Sequence, residues 1–177
     1  MRQSFCFDIE ENAMNQVNIL PIDYRNARHA DALVHLMDIY AKDPMGGANP
    51  LNAYARQNLA SALAALPTAF GVVAFCGDLP VGIVNCFEGF STFSCRPLAN
   101  IHDVVVAPEF RGNGIAIRML GQVERMARER GCCKLTLEVL EGNRTAQHLY
   151  RKFGFDGYRL SPEKGHALFW QKALHQI

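Results

Sequence analysis

The chain lacks an excess of charge of one sign, a long apolar run, a paired-cysteine motif and a nucleotide P-loop, and each absence removes a class of protein. Its 18 Lys and Arg are balanced by 17 Asp and Glu, for a formal net charge of +1. That balance gives no bulk attraction to nucleic acid or to an anionic membrane, so neither is expected as a partner. Arg125, Arg128, Arg130 and Lys134 do cluster in sequence, and a solvated helix face accounts for them. No stretch of about 18 apolar residues exists, so no transmembrane helix is expected. Residues 1–15 contain Asp8, Glu10 and Glu11 where a signal peptide needs an apolar core. They read as a loose lead-in, and residues 16–177 as a single domain. None of the six cysteines (Cys6, Cys76, Cys86, Cys95, Cys132 and Cys133) makes a Cys-x-x-Cys pair or stands at zinc-ligand spacing from a His. Buried free thiols in a reducing cytoplasm are the expectation, with no metal site.

What is there is an ordinary globular composition, 49% hydrophobic and 20% charged over 177 residues, enough for one domain with a real core. Val17–Ile22 alternates as a strand. Ala27–Tyr40 has helical spacing and Leu51–Leu66 reads as a second helix ended by Pro67. Phe70–Phe75 and Val81–Phe87 flank a short turn and predict an antiparallel hairpin. Phe90–Leu98 reads as turn, and Ile101–Val106 as a strand stopped by Pro108. Ile115–Arg130 is a strong amphipathic helix with Gly131 as its C-cap. Lys134–Leu140 reads as a strand, Thr145–Phe153 as a short helix, and Phe155–Leu160 and His166–Trp170 as closing strands. The order β-α-α-β-β-β-α-β-α-β-β predicts an α/β (α+β) fold. Its central sheet is mixed, mainly antiparallel and twisted, with helices on both faces and one β-α-β crossover over Ile101–Val139.

Residues 111–116 read Arg-Gly-Asn-Gly-Ile-Ala, between the apolar run Val104, Val105, Val106 and the amphipathic helix. Strand, glycine turn, helix sets several backbone N–H groups at a positive helix end, where a pyrophosphate fits without a metal. A P-loop would need Gly-Lys-Ser/Thr at the helix start, and none is present. A dinucleotide fold would need a third glycine where Ile117 stands. The pattern Arg/Gln-x-x-Gly-x-Gly/Ala is met in register by Arg111, Gly114 and Ala116. Downstream, Asn143, Ala146, Tyr150, Gly154 and Phe155 follow in fixed order. On these two motifs the chain resembles the GNAT superfamily of N-acetyltransferases over roughly residues 70–160.

The resemblance implies the GNAT fold and acetyl-CoA as co-substrate. The loop Arg111, Gly112, Asn113, Gly114, Ile115 and Ala116 would wrap the CoA pyrophosphate through its amides; the two glycines permit the backbone geometry. The ordinary alternative for Arg111 is a surface ion pair. The backbone of Val104, Val105 and Val106 would pair with the pantetheine arm as an added strand does, and an N–H there would steady the thioester oxygen. Asn143 would bond the pantetheine or simply cap the next helix. Tyr150 would protonate the departing CoA thiolate.

Direct attack by an amine on the thioester also needs a proton acceptor. His102 and Asp103 lie beside the presumed thioester site. Because neighbouring strand residues face opposite sides, only one is expected to reach the cleft. The segment around Phe90 and Ile101–Asp103 looks like the small-amine (spermidine/spermine acetyltransferase-like) branch, which has Glu-Asp where this chain has His102-Asp103. His102 is therefore a candidate base, or the mark of an acceptor that is not a polyamine; its ordinary alternative is a packing histidine. Glu88, Phe90, Asp103 and Glu138 are candidate contacts to the acceptor. The activity implied is acetyl transfer from acetyl-CoA to a primary amine of a small molecule, amino acid or peptide, in a ternary complex. A non-catalytic acyl-CoA-binding sensor is the alternative. The resemblance also admits a homodimer, and the Met45–Ala48 stretch has the composition of a segment that flexes over a cleft.

Overall fold

The structure is a computed structural model and describes residues 17–158, 161, 163, 165 and 167–174. The chain forms two compact units that divide between Leu137 and Glu138.

The first unit is built on a five-stranded sheet in the order β1-β2-β3-β4-β5. Its strands are β1 (Val17–Pro21), β2 (Ala69–Cys76), β3 (Leu79–Ser91), β4 (Arg96–Val106) and β5 (Leu135–Leu137). The first three neighbouring pairs are antiparallel and β4–β5 is parallel. Helices α1 (Ala27–Lys42) and α2 (Ala53–Ala64) lie between β1 and β2, and α3 (Ile115–Glu129) makes the crossover from β4 to β5. The predicted fold class is thus the observed one.

One sheet face takes α1 and α2. There Leu33, Leu36 and Leu63 are buried with Ile83, Val105 and Ala107. The other face takes α3, through Ile115, Met119, Leu120, Val123 and Ala127. At Gly82 α3 lies close against the sheet: a Cβ there would lie 2.8 Å from Met119 Cε and 3.1 Å from the Val105 carbonyl oxygen. The β2–β3 turn is Gly77-Asp78, with Gly77 at φ +59°, the arrangement of a type II′ turn that matches strand twist.

Four sequence expectations need correction. Phe90–Leu98 is not a turn: β3 runs on to Ser91 and β4 begins at Arg96, so only Thr92–Cys95 turns. The strand at Lys134–Leu140 shrinks to Leu135–Leu137, because β4 offers it only Ala99–Ile101 as partner. Phe155–Tyr158 and Ala167–Trp170 carry no strand, and the rest of those two predicted strands lies outside the described residues. Finally, of the described cysteines Cys86 alone is buried; Cys95 is exposed at the hairpin tip and Cys76, Cys132 and Cys133 are half-buried.

In the second unit, α4 (Arg144–Phe153) starts on the Asn143 cap and ends at Gly154, whose φ is +104°. Gly154 N–H donates to the Arg151 carbonyl and Phe155 N–H to that of Tyr150, as in a Schellman close.

Candidate active site

The ladder between β3 and β4 carries a bulge. Asn85 pairs with Asp103, yet the next residue, Cys86, pairs with Ile101. His102 is the extra residue. Ala99 and Ile101 therefore share the α3 face, while Asp103 and Val105 share the opposite one. The bulge also overturns the expectation that His102 and Asp103 face opposite sides, since an inserted residue breaks the two-residue period. His102 Nδ1 lies 3.4 Å from Asp103 Oδ1, and the imidazole meets the Phe87 ring edge-on at 5.4 Å. Phe87 packs with the α1–α2 core, which fixes the face on which the pair sits. The His102 side chain is 63% exposed and that of Asp103 14%.

Behind this pair is a polar group in the core that periodicity did not mark as functional. The Asn85 side-chain amide donates to Asp103 Oδ2 at 3.1 Å, and the Tyr24 hydroxyl donates to Asn85 Oδ1 at 3.3 Å. Burial pushes the Tyr24 hydroxyl far above its usual range, with smaller contributions from Cys86 and Asp103. The available signal was a lone Asn in the apolar run Val81–Phe87, since buried polar groups are the informative exceptions.

The same strand opens toward β5. Pairing between β4 and β5 ends at Ile101–Leu137. Among the described residues, no strand pairs with Val104–Val106 on that side. Arg111 Nε donates to the Val106 carbonyl at 3.1 Å, and its terminal nitrogen reaches Asp43 Oδ2 at 3.0 Å. Arg111 thus makes the surface ion pair that was its ordinary alternative. Asp43 also accepts from the Met45 amide at 2.9 Å. That bond first, then Arg111, holds its carboxyl below the usual carboxylate range. The Met45–Ala48 stretch is tied down further: Gly46 and Ala48 N–H groups both donate to the Asp43 carbonyl.

Gly112 and Gly114 have φ of +83° and +71°, and a Cβ at either would meet nothing within 4 Å. The loop's backbone is open above both. Asn113 Nδ2 braces the loop against the Phe110 and Arg111 carbonyls, and buried Ile115 anchors the helix behind it. Helices α1, α2 and α4 each begin with an Asn whose side chain accepts from an amide of the first turn: Asn26, Asn52 and Asn143. Helix α3 begins with Gly114 and has no side-chain cap among the described residues. Its first-turn amides are left to another acceptor, and a pyrophosphate is an acceptor of the right charge.

Not every predicted residue joins this face. Glu88 lies on the α3 side, 4.0 Å from Arg130, and Phe90 is exposed on the hairpin extension. Neither is brought to His102 and Asp103. In the second unit, Asn143 Oδ1 accepts from Ala146 N–H at 3.1 Å, so it caps α4. Tyr150 is half-buried and meets Phe155 edge-on at 6.0 Å, and Glu138 is exposed. Among the described residues no group of His, Cys, Asp or Glu is placed to hold a metal ion, and no helix is long and apolar enough to cross a membrane.

A mixed sheet with a parallel pair that opens beside a bulge, followed by an uncapped glycine-led helix, defines a GNAT-type α/β domain. The sequence model of the Acetyltransferase (GNAT) family matches residues 33–155, and the chain belongs to that family. It is 35% identical over 78 residues to thialysine N-epsilon-acetyltransferase of Bos taurus, covering 44% of this chain and 45% of that protein. It is 46% identical over 78 residues to streptothricin acetyltransferase of Streptomyces lavendulae, covering 42% of this chain and 41% of that protein. The matched region thus spans less than half the length of these curated relatives. In fold it is similar to an aminoglycoside N-acetyltransferase solved in complex with CoA, with a TM-score of 0.66, 16% identity, and coverage of 88% of this chain and 94% of that one.

Proposed function

We propose that the protein is an N-acetyltransferase that moves an acetyl group from acetyl-CoA to a primary amine of a small molecule, amino acid or peptide, by direct attack in a ternary complex. The observation that carries this reading is the start of α3: Gly114 in the left-handed region with no side-chain cap, where the other three described α-helices each have a capping Asn. Family membership adds the donor, and one relative is named for acetylation at a side-chain nitrogen.

In this reading the amides of Gly112–Ala116 hold the pyrophosphate and the open edge of Val104–Val106 takes the pantetheine amides. An N–H on that edge receives the thioester oxygen as it gains charge. A cationic amine first releases one proton to solvent, and His102 accepts the second from the nitrogen as it attacks. The nitrogen lone pair forms the new N–C bond, the C–S bond breaks, and the sulfur leaves with the electron pair. Tyr150 would give that sulfur its proton; this role rests on the family motif. Asp103 adds negative charge on the acceptor side, which suits a cationic amine. A covalent route through Cys86, the residue after Asn85 on β3, finds no support, since burial pushes its thiol up to about 12, where a thiolate is scarce.

Calorimetry with CoA and an acetylation screen over polyamines, amino acids, aminoglycosides and peptide N-termini test the reading. CoA binding with turnover of at least one amine is expected. Binding with no turnover on any amine would point instead to an acyl-CoA sensor, and no CoA binding would remove both.

A further inference from the structure

Asn85 is 2% exposed, in the middle of β3, among residues that are all buried from Val81 to Cys86. An amide buried there is costly unless its donors and acceptor are paired. Its pairing also has a direction. Asp103 is an acceptor, so the amide nitrogen must face it. The opposite flip would set the amide oxygen against the carboxylate. The Asn85 oxygen then faces Tyr24, which must donate, and the raised Tyr24 hydroxyl keeps the proton that it needs. The order of donation is Tyr24 to Asn85 to Asp103, and the second Asp103 oxygen faces His102 Nδ1.

Among the described residues, the groups besides His102 that feel the Asp103 charge include Tyr24, Tyr40 and Cys86. Burial raises all three, so each is neutral at neutral pH. Asp103 is the acid that this cluster contains, and its partner is the imidazole presented by the bulge. A partly buried carboxylate clamped from behind and facing a histidine nitrogen fixes the tautomer of that histidine. It also stabilises the imidazolium that forms when the ring takes a proton.

We propose that Asn85 and Tyr24 are positioning residues for acetyl transfer: they pin the Asp103 carboxylate so that it holds the His102 proton on Nδ1, and the Nε2 lone pair becomes the acceptor for the proton of the attacking amine. This rests on the reading of His102 as the base. Proton balance is kept, because the ring gains the amine's proton while the leaving thiolate is protonated separately. Asn85 and Tyr24 touch no reacting atom and act only through Asp103.

The test is nitrogen-15 NMR of the His102 ring in the full chain, with Asn85→Leu, Asp103→Asn and Tyr24→Phe variants. Native protein should show neutral His102 protonated on Nδ1. Asp103→Asn and Asn85→Leu should exchange the two ring-nitrogen shifts toward the Nε2–H form. Tyr24→Phe should move the ring shifts in the same direction by a smaller amount. If Asn85→Leu fails to fold, the double variant Tyr24→Phe/Asn85→Leu removes both buried polar partners and carries the same expectation. A role for Asn85 in packing alone would lower stability without touching the His102 tautomer. If native protein binds CoA but its His102 is Nε2–H and unaffected by these variants, this inference falls alone. If native protein binds no CoA, the acetyltransferase reading falls first.

Discussion

The Arg111 guanidinium links two loops 68 residues apart, donating at 3.0 Å to Asp43 while its Nε holds the Val106 carbonyl. One side chain therefore ties the end of α1 to the last residue of β4, from the glycine loop proposed for pyrophosphate. Both partners are partly solvated, at 50% and 21% side-chain exposure, so the pair adds little to global stability.

Arg111→Ala should accordingly leave the unfolding free energy within about 1 kcal/mol of native. CoA affinity should fall about tenfold, the loss of one charge-assisted contact worth about 1.4 kcal/mol. Urea unfolding and calorimetry separate the two. Unchanged CoA affinity would confine Arg111 to its ion pair with Asp43.

Two carboxylates give stability an acid-dependent part. Asp38 is held below the usual range, first by the hydrogen bond from Lys42, and Asp43 first by the Met45 amide. Each keeps its charge in the native state to lower pH than in the unfolded chain. Their contribution is fully present above the ordinary carboxylate value of about 3.9 and is lost as pH falls through the lowered native values. The urea midpoint should hold steady from neutral pH to about 5 and drop below it. Asp43→Asn should lower the midpoint at neutral pH and shrink the acid-dependent fall. An unchanged fall in that variant would show that Asp43 contributes none of it.

Asn143 can be tested for both of its readings at once. Asn143→Asp keeps a side-chain acceptor for the Ala146 amide, so helix α4 should keep its stability. Asn143→Ala should cost about 1 kcal/mol as a lost cap. If the pantetheine contact is also real, CoA affinity should fall in both variants. Affinity that tracks only the thermal stability would leave Asn143 a cap and nothing more.

Tyr150→Phe should keep CoA affinity and lose turnover by about 100-fold or more, the range for removing a general acid. Measured on any amine found in the acetylation screen, undiminished kcat would take the acid role away from Tyr150.

The parts of this molecule that were legible in the sequence are those with a local signature. Helix α3 announces itself by its period and its C-terminal glycine, and the left-handed loop before it by Gly112 and Gly114. What escaped was set by partners elsewhere in the chain. Nothing in the order Ile101-His102-Asp103 signals an inserted residue, because a bulge is a property of two strands and only the register against Asn85 and Cys86 reveals it. Residues 134–140 alternate well enough for a longer strand, but a strand needs a neighbour, and β4 stops pairing at Ile101. The β3–β4 hairpin past Phe87 leaves the shelter of the helices, so burial no longer imposes alternation and Ser91, Ser94 and Pro97 read as turn. Asn85 and Tyr24 lie on separate elements, and their hydrogen bond across 61 positions has no sequence period.

The early end of the β4–β5 ladder puts an exposed sheet margin in the interior of the fold. Among the described residues, no strand pairs with Val104–Val106 on its β5 side, and an apolar strand margin of that kind recruits stray extended chains. Natural sheets blunt such margins with cationic side chains, and the Arg111 grip on the Val106 carbonyl is a device of that kind. In the proposed reading, the stretch left open for a ligand's amides is thereby also the one that most needs cover against pairing with another extended chain.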